Sequence, residues 1–142
     1  MKALPLLLCL ATPPLLAKDV EVTIRGSERL QFDVKVLEVA AGDTLHLTFA
    51  NTGKMSKQVM GQNVVVLRPG TDVAAFANAA MKASATEFFP ESKKDEVVAR
   101  TRLLGPGERE TVTFTLTEPG AYPYISSFPG HHMLMKGVIT VR

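Results

Sequence analysis

Apolar and polar residues alternate one by one in several short segments of this chain. Val20, Val22 and Ile24 alternate with polar neighbours, and residues 45–49 repeat the pattern. A period of two places the apolar side chains on one face, as in a half-buried β-strand. Turn pairs such as Pro69-Gly70 separate the segments. Alternation and short apolar runs together predict about eight strands, the others at 30–36, 63–67, 96–100, 112–116, 122–126 and 137–141.

One alanine-rich segment departs from this pattern and predicts a helix from Thr71 or Asp72 to about Ser84. Thr71 or Asp72 is suited to cap its first turn. The residues predicted to share its apolar face are Val73, Phe76, Ala77, Ala80 and Met81. Many short strands with one inserted helix indicate an all-β, two-sheet sandwich in a single domain. We expect its core to contain Val22, Ile24, Phe32, Leu45, Leu47, Phe49, Val112 and Phe114.

The first 17 residues have the layout of a secretory signal peptide. Lys2 precedes an apolar run over 4–16, and the small residue Ala17 precedes Lys18. We therefore predict a signal peptide at 1–17, a mature domain at 18–142, and export to the periplasm. A membrane anchor fits less well because a spanning helix needs about 20 apolar residues. A lipoprotein signal ending at Cys9 would need a longer apolar run before the cysteine.

Cys9 is the only cysteine, so the predicted mature domain has neither a thiol nor a disulfide. The formal net charge of the whole chain is only +2. This near balance argues against a nucleic acid or an anionic membrane surface as partner.

The segment from Tyr122 to Val138 contains Phe128-Pro-Gly-His131 and, further on, Met135-Lys-Gly137. It resembles the C-terminal copper loop of the azurins, blue-copper proteins of the cupredoxin family. Val59-Met-Gly-Gln-Asn63 and Leu103-Leu-Gly-Pro-Gly-Glu108 resemble two further azurin segments, so the similarity spans the mature chain. The resemblance implies a cupredoxin-like Greek-key β-sandwich and electron transfer through copper.

The resemblance also implies a role for individual positions. His131 matches the C-terminal copper histidine and Met135 the weak axial methionine. Gly61 matches the glycine whose carbonyl faces the metal, and Asn63 matches an asparagine that joins the ligand loops. Two positions depart from the family pattern: Ser126 stands at the thiolate position and Gln62 at the first histidine position.

These two departures change the expected chemistry. A blue-copper site needs two imidazoles and one thiolate with a long axial contact. Ser126 and Gln62 offer neutral oxygens instead, so we expect no copper or weakly bound copper. Ser126 and His131 could also be considered as a nucleophile and its base, but no acid is placed to orient the histidine, and we expect no enzyme activity.

Three functions follow as alternatives. The first is a copper-free interaction module with an apolar docking end formed by Met60, Phe128, Pro129 and Met133. The second is a copper carrier with an altered, colourless site. The third is the electron transfer that the family implies. Copper titration separates them.

Overall fold

The computed structural model describes residues 9–10 and 16–142, so most of the predicted signal peptide lies outside the described residues. The described chain forms eight strands and two α-helices. The strands are β1 (Asp19–Gly26), β2 (Val36–Val39), β3 (Thr44–Asn51), β4 (Val65–Leu67), β5 (Val97–Arg100), β6 (Arg109–Thr115), β7 (Gly120–Ile125) and β8 (Lys136–Val141). The helices are α1 (Lys57–Met60) and α2 (Val73–Met81), with short 3₁₀ turns at Ser84–Thr86, Glu91–Glu96 and His131–Met133.

The strands form two sheets whose order differs from their order along the chain. One sheet has the order β1-β3-β6 and the other β2-β8-β7-β4-β5. The pairs β1–β3 and β2–β8 are parallel, whereas the remaining pairs are antiparallel. The connections therefore cross between sheets, which confirms the predicted Greek-key sandwich.

The central strand β3 shows how alternation positions the sheet. Leu45, Leu47 and Phe49 are fully buried against the second sheet. On the opposite face, Thr48 Oγ1 lies 2.6 Å from Thr111 Oγ1, and His46 Nδ1 lies 3.1 Å from Thr113 Oγ1. These cross-strand pairs fix the register between β3 and β6. His46 is thus a surface residue, as its place in the pattern predicts.

The main core lies between the two sheets. Phe32 is buried there, with its ring centroid 5.8 Å from that of Phe49 and 5.6 Å from that of Tyr124. Of the predicted core residues, Val22, Val112 and Phe114 are only partly buried. They pack on the edge of the cluster because β1 and β6 are the outer strands of their sheet.

The predicted strand at 30–36 is wrong. Before Val36, only Phe32 in this segment makes a ladder contact, a single bridge to Gly26. Leu30 adopts a left-handed backbone (φ 56°), and the Asp33 carboxylate accepts a hydrogen bond from the Arg25 amide (2.7 Å). This side-chain bond competes with a regular ladder. The strand begins only at Val36, whose side chain is 61% exposed rather than buried.

Helix α2 starts as predicted but ends at Met81, before the predicted end at about Ser84, where a separate 3₁₀ turn begins. The Asp72 carboxylate accepts a hydrogen bond from the Ala75 amide (3.0 Å) and caps the first turn. Phe76 of this helix packs against β4 and β7, in a second cluster with Val65, Leu67 and Ile125. Met81 was predicted on the same face but is 48% exposed, because it ends the helix beyond the edge of that cluster.

The start of the described domain is held by Asp43. Its Oδ1 accepts a hydrogen bond from the Lys18 nitrogen and its Oδ2 accepts one from the Ala40 amide, both at 3.0 Å. These bonds fasten the beginning of β1 to the turn before β3. In the described part of the chain, no helix is long and apolar enough to cross a membrane.

Candidate metal centre

The loop between β7 and β8 brings three of the predicted site residues together. A hydrogen bond joins Ser126 Oγ and His131 Nδ1 at 3.2 Å. The Ser126 amide donates to the Met135 carbonyl (3.2 Å), and the Met135 amide donates to the His131 carbonyl (2.7 Å). The three side chains are buried. Backbone hydrogen bonds thus close a compact turn at one end of the sandwich.

His131 lies in a mainly apolar setting. Its ring centroid is 4.7 Å from that of Phe128, whose own centroid is 5.0 Å from that of Phe88. Desolvation lowers the pKa of His131 to about 4. The imidazole is therefore neutral near pH 7, the form that binds metals. The neighbouring His132 is only partly buried and has no hydrogen-bonded side-chain partner among the described residues.

Asn63, which lies just before β4, joins the segment 61–63 to this loop. Its Oδ1 accepts a hydrogen bond from the Ser127 amide (2.8 Å), and its Nδ2 donates to Ser127 Oγ (2.9 Å). Ser127 Oγ in turn donates to the Phe88 carbonyl (2.8 Å). Asn63 thus joins two loops, the role that the resemblance implies for it. Ser127 was not singled out from the sequence, because nothing in its local pattern marks it as buried.

Gln62 is fully buried, but its side chain is used differently from a ligand histidine. Its Nε2 donates a hydrogen bond to the Ser27 carbonyl (3.0 Å). Its Oε1 is buried and has no hydrogen-bond partner among the described residues. Ser27 belongs to the turn after β1, and sequence reasoning did not connect that turn with the site.

Gln62 lies so close to the end of β1 that position 26 must be a glycine. A Cβ added at Gly26 would lie 2.3 Å from Gln62 Oε1 and 2.9 Å from Met135 Cε. Both side chains therefore occupy the space that any larger residue at position 26 would need. This close approach also shows that Gln62 and Met135 lie beside each other at the site.

Gly61 is buried at the end of α1, where its amide donates to the Lys57 carbonyl (2.9 Å). The next residue, Gln62, exchanges backbone hydrogen bonds with Leu104 at 3.1 and 2.7 Å. This bridge holds the segment 61–63 against the chain that follows β5. All six positions predicted for the site are buried, and bonds or close contacts join them to the same end of the sandwich.

Comparison with known proteins identifies the family. The family model described as copper binding proteins, plastocyanin/azurin family, matches residues 18–142.

The chain belongs to the plastocyanin/azurin family.

Several relatives of this cupredoxin are azurins. The azurin of Pseudomonas aeruginosa is 32% identical over 140 residues, covering 96% of this chain and 94% of that protein. The azurin of Alcaligenes faecalis is 36% identical over 123 residues, covering 84% and 95%. Among solved structures, auracyanin A of Chloroflexus aurantiacus, titled a "blue" copper protein, has a TM-score of 0.78 at 32% identity and covers 87% of this chain and 99% of that one.

The donor atoms of this cupredoxin do not fit a blue-copper centre. Such a centre uses a thiolate and two imidazoles, whereas the buried atoms here belong to one imidazole, one thioether, a hydroxyl and an amide. The Ser126 hydroxyl is hydrogen-bonded to His131, and the Gln62 amide nitrogen is turned to Ser27. In residues 9–10 and 16–142 there is also no cluster of three His, Cys, Asp or Glu side chains.

Proposed function

We propose that this chain is an exported, periplasmic cupredoxin that acts as an interaction module and holds either no copper or weakly bound copper. The observation that supports this most directly is the buried hydrogen bond between Ser126 and His131, at the position where the family pattern has a thiolate. A serine hydroxyl stays protonated near neutral pH and is a hard ligand, so it cannot replace the thiolate. The amide of Gln62 is a weak ligand for the same ion.

A hydrolytic role has less support than binding. The Ser126–His131 pair lacks a third group, because no carboxylate of the described chain is hydrogen-bonded to His131. A triad needs such a group to orient the imidazole. Both side chains are also buried, which leaves little room for a substrate. We therefore propose a non-enzymatic protein.

The docking surface that we propose is the apolar end formed by Met60, Phe128, Pro129 and Met133. Met133 is 67% exposed, and Val59, next to Met60, is 56% exposed. Large apolar side chains that remain in water mark surfaces for protein partners. Such docking depends on shape and apolar contact, so it does not require a metal.

Copper titration tests this proposal. Calorimetry with cuprous and cupric ion should give no binding at micromolar metal, or weak binding without an intense visible band. An intense thiolate-type absorption band would refute the proposal. A reversible one-electron wave from copper-loaded protein would instead support electron transfer, as in the family.

Restoring the ligands tests the site assignment. The double variant Ser126→Cys with Gln62→His should gain a blue-copper absorption band, because it completes the thiolate and second imidazole. The control pairs Gln62→His with Ser84→Cys, a cysteine at an exposed position outside the site. A folded double variant that stays colourless with copper would contradict the assignment, and so would equal colour in the control.

A copper carrier with an altered site is the second candidate. The unpartnered Oε1 of Gln62 beside Met135 favours it, because an amide oxygen and a thioether could both contact an ion. Under this alternative, cuprous ion binds at micromolar concentration without colour, and Met135→Leu abolishes the binding. Unchanged binding in Met135→Leu would exclude this site as the carrier.

A further inference from the structure

A groove opens on the five-stranded sheet, next to the loop that carries the candidate metal centre. It lies between the first turn of α2 and the 3₁₀ turn His131–Met133, over the β7–β8 hairpin. Its volume is about 580 Å³. That volume is within the range of small-molecule sites, roughly 300–1,000 Å³.

The lining of the groove is mostly apolar. Val73 contributes from α2, Ile125 from β7, Met133 from the 3₁₀ turn and Val138 from β8. Four different elements therefore surround one hydrocarbon-lined space. A ligand with an aliphatic body would be removed from water there along much of its length.

The charged lining has a single sign. Lys35 and Lys136 line the groove, together with the basic residue His132, and no aspartate or glutamate does. Lys136 and Val138 lie two residues apart on β8 and so share one face. The Val138 amide donates to the Lys35 carbonyl (2.9 Å), which holds the Lys35 backbone beside β8, the strand that carries Lys136.

Within residues 9–10 and 16–142, neither lysine has an acidic partner. The salt bridges of the described residues do not include Lys35 or Lys136. Asp72 lies at the start of the adjoining helix, but its carboxylate accepts from the Ala75 amide and does not line the groove. Two unpaired ammonium groups beside an apolar space complement a ligand with one anionic end and one aliphatic end.

We propose that this groove binds an amphipathic monocarboxylate, such as a straight-chain fatty acid anion of roughly eight to twelve carbons. The carboxylate contacts Lys35 and Lys136, and the alkyl chain lies against Val73, Ile125 and Val138. The proposal uses no residue of the candidate metal centre and is independent of copper.

Calorimetric titration with octanoate, decanoate and dodecanoate, each below its micellar concentration, tests the proposal. We expect one saturable site, with affinity rising about fourfold per added CH₂. The cation decyltrimethylammonium has a similar chain and should bind at least tenfold more weakly than decanoate. Absence of saturable decanoate binding, or equal affinity for the cation, would overturn the proposal.

Charge variants locate the site. Lys35→Gln with Lys136→Gln should weaken decanoate binding at least tenfold, whereas the matched pair Lys54→Gln with Lys82→Gln, at two exposed positions outside the groove, should not. Equal loss in both pairs would show a general charge effect and refute the site. Binding to anionic phosphatidylglycerol vesicles without binding to free decanoate would assign the groove to a membrane surface instead. If the first pair fails to fold, the chain-length and cation comparisons on the unaltered protein decide.

Discussion

Replacing Gln62 by methionine should stabilise the protein, although it removes a hydrogen bond. Gln62 is fully buried, and its Oε1 has no partner among the described residues. A buried, unpaired polar atom costs about 1–3 kcal/mol. Methionine has a similar length and shape but no such oxygen, so the variant Gln62→Met removes this cost without opening a large cavity.

The hydrogen bond that the variant loses contributes less free energy than the unpaired oxygen costs. The variant gives up the bond from Nε2 to the Ser27 carbonyl, which contributes about 0.5–1.5 kcal/mol. That carbonyl keeps a partner, because it also accepts from the Leu30 amide (3.1 Å). The expected net effect is a gain of about 1 kcal/mol in the free energy of unfolding. For a domain of about 125 residues, this corresponds to a rise in Tm of about 4 °C.

Urea unfolding and thermal melts measure the effect. Gln58→Met is the matched control, because Gln58 is exposed and the same exchange there should change stability by less than about 0.5 kcal/mol. A loss of more than about 1 kcal/mol in Gln62→Met would refute the reasoning, since it would mean that the Oε1 atom is well paired. A gain in both variants would indicate a general effect of methionine.

Two further predictions concern groups that fasten loops. Asn63→Ala should cost about 2–4 kcal/mol in urea unfolding, because it leaves the buried Ser127 amide without a partner and removes the bond that the Ser127 hydroxyl accepts. Ser127→Ala, which keeps the bond from the amide of residue 127 to Asn63 Oδ1, should lose less, and equal losses would contradict this account. The pKa of Asp43 is lowered, first by the backbone hydrogen bond from Lys18 and next by the one from Ala40. The carboxylate therefore stabilises the fold at pH values above its ordinary pKa of about 3.8. This stabilisation is lost as the pH falls through the lowered pKa. The stability difference between the unaltered chain and Asp43→Asn should therefore be constant above about pH 5 and shrink below about pH 4, and a difference that persists undiminished to pH 2 would exclude this carboxylate as its source.

The sequence predicted those parts of the fold that depend on local pattern. The alternation at 45–49 located β3, and the cap candidates Thr71 and Asp72 marked the start of α2, because each signal acts within a few residues. The same alternation failed at 30–36, where Asp33 bonds to the backbone of β1 and Leu30 takes a left-handed conformation. A period-two pattern reports which residues could be buried on one face. It does not report whether a neighbouring strand is available to pair with them.

The candidate site divides in a similar way. The resemblance to the azurin copper loop implied that Ser126, His131 and Met135 lie together, and the hydrogen bonds of the loop join them. The turn of Gln62 toward Ser27 and the bond from Ser127 to Phe88 could not be predicted, since each joins segments that are distant along the chain. Neither Ser27 nor Ser127 has a local signal that would distinguish it from a surface serine.

Bonded partners at this end of the sandwich are far apart along the chain, and this separation affects how the protein folds. Asn63 and Ser127 are 64 residues apart, and Tyr124 donates to the carbonyl of Val34, 90 residues away. Contacts of this kind form only after long loops have closed, which places all-β proteins among the slower two-state folders. The buried end that carries the candidate metal centre is therefore completed only when both sheets have come together. It depends on the whole chain having reached its native topology and cannot form as a local unit.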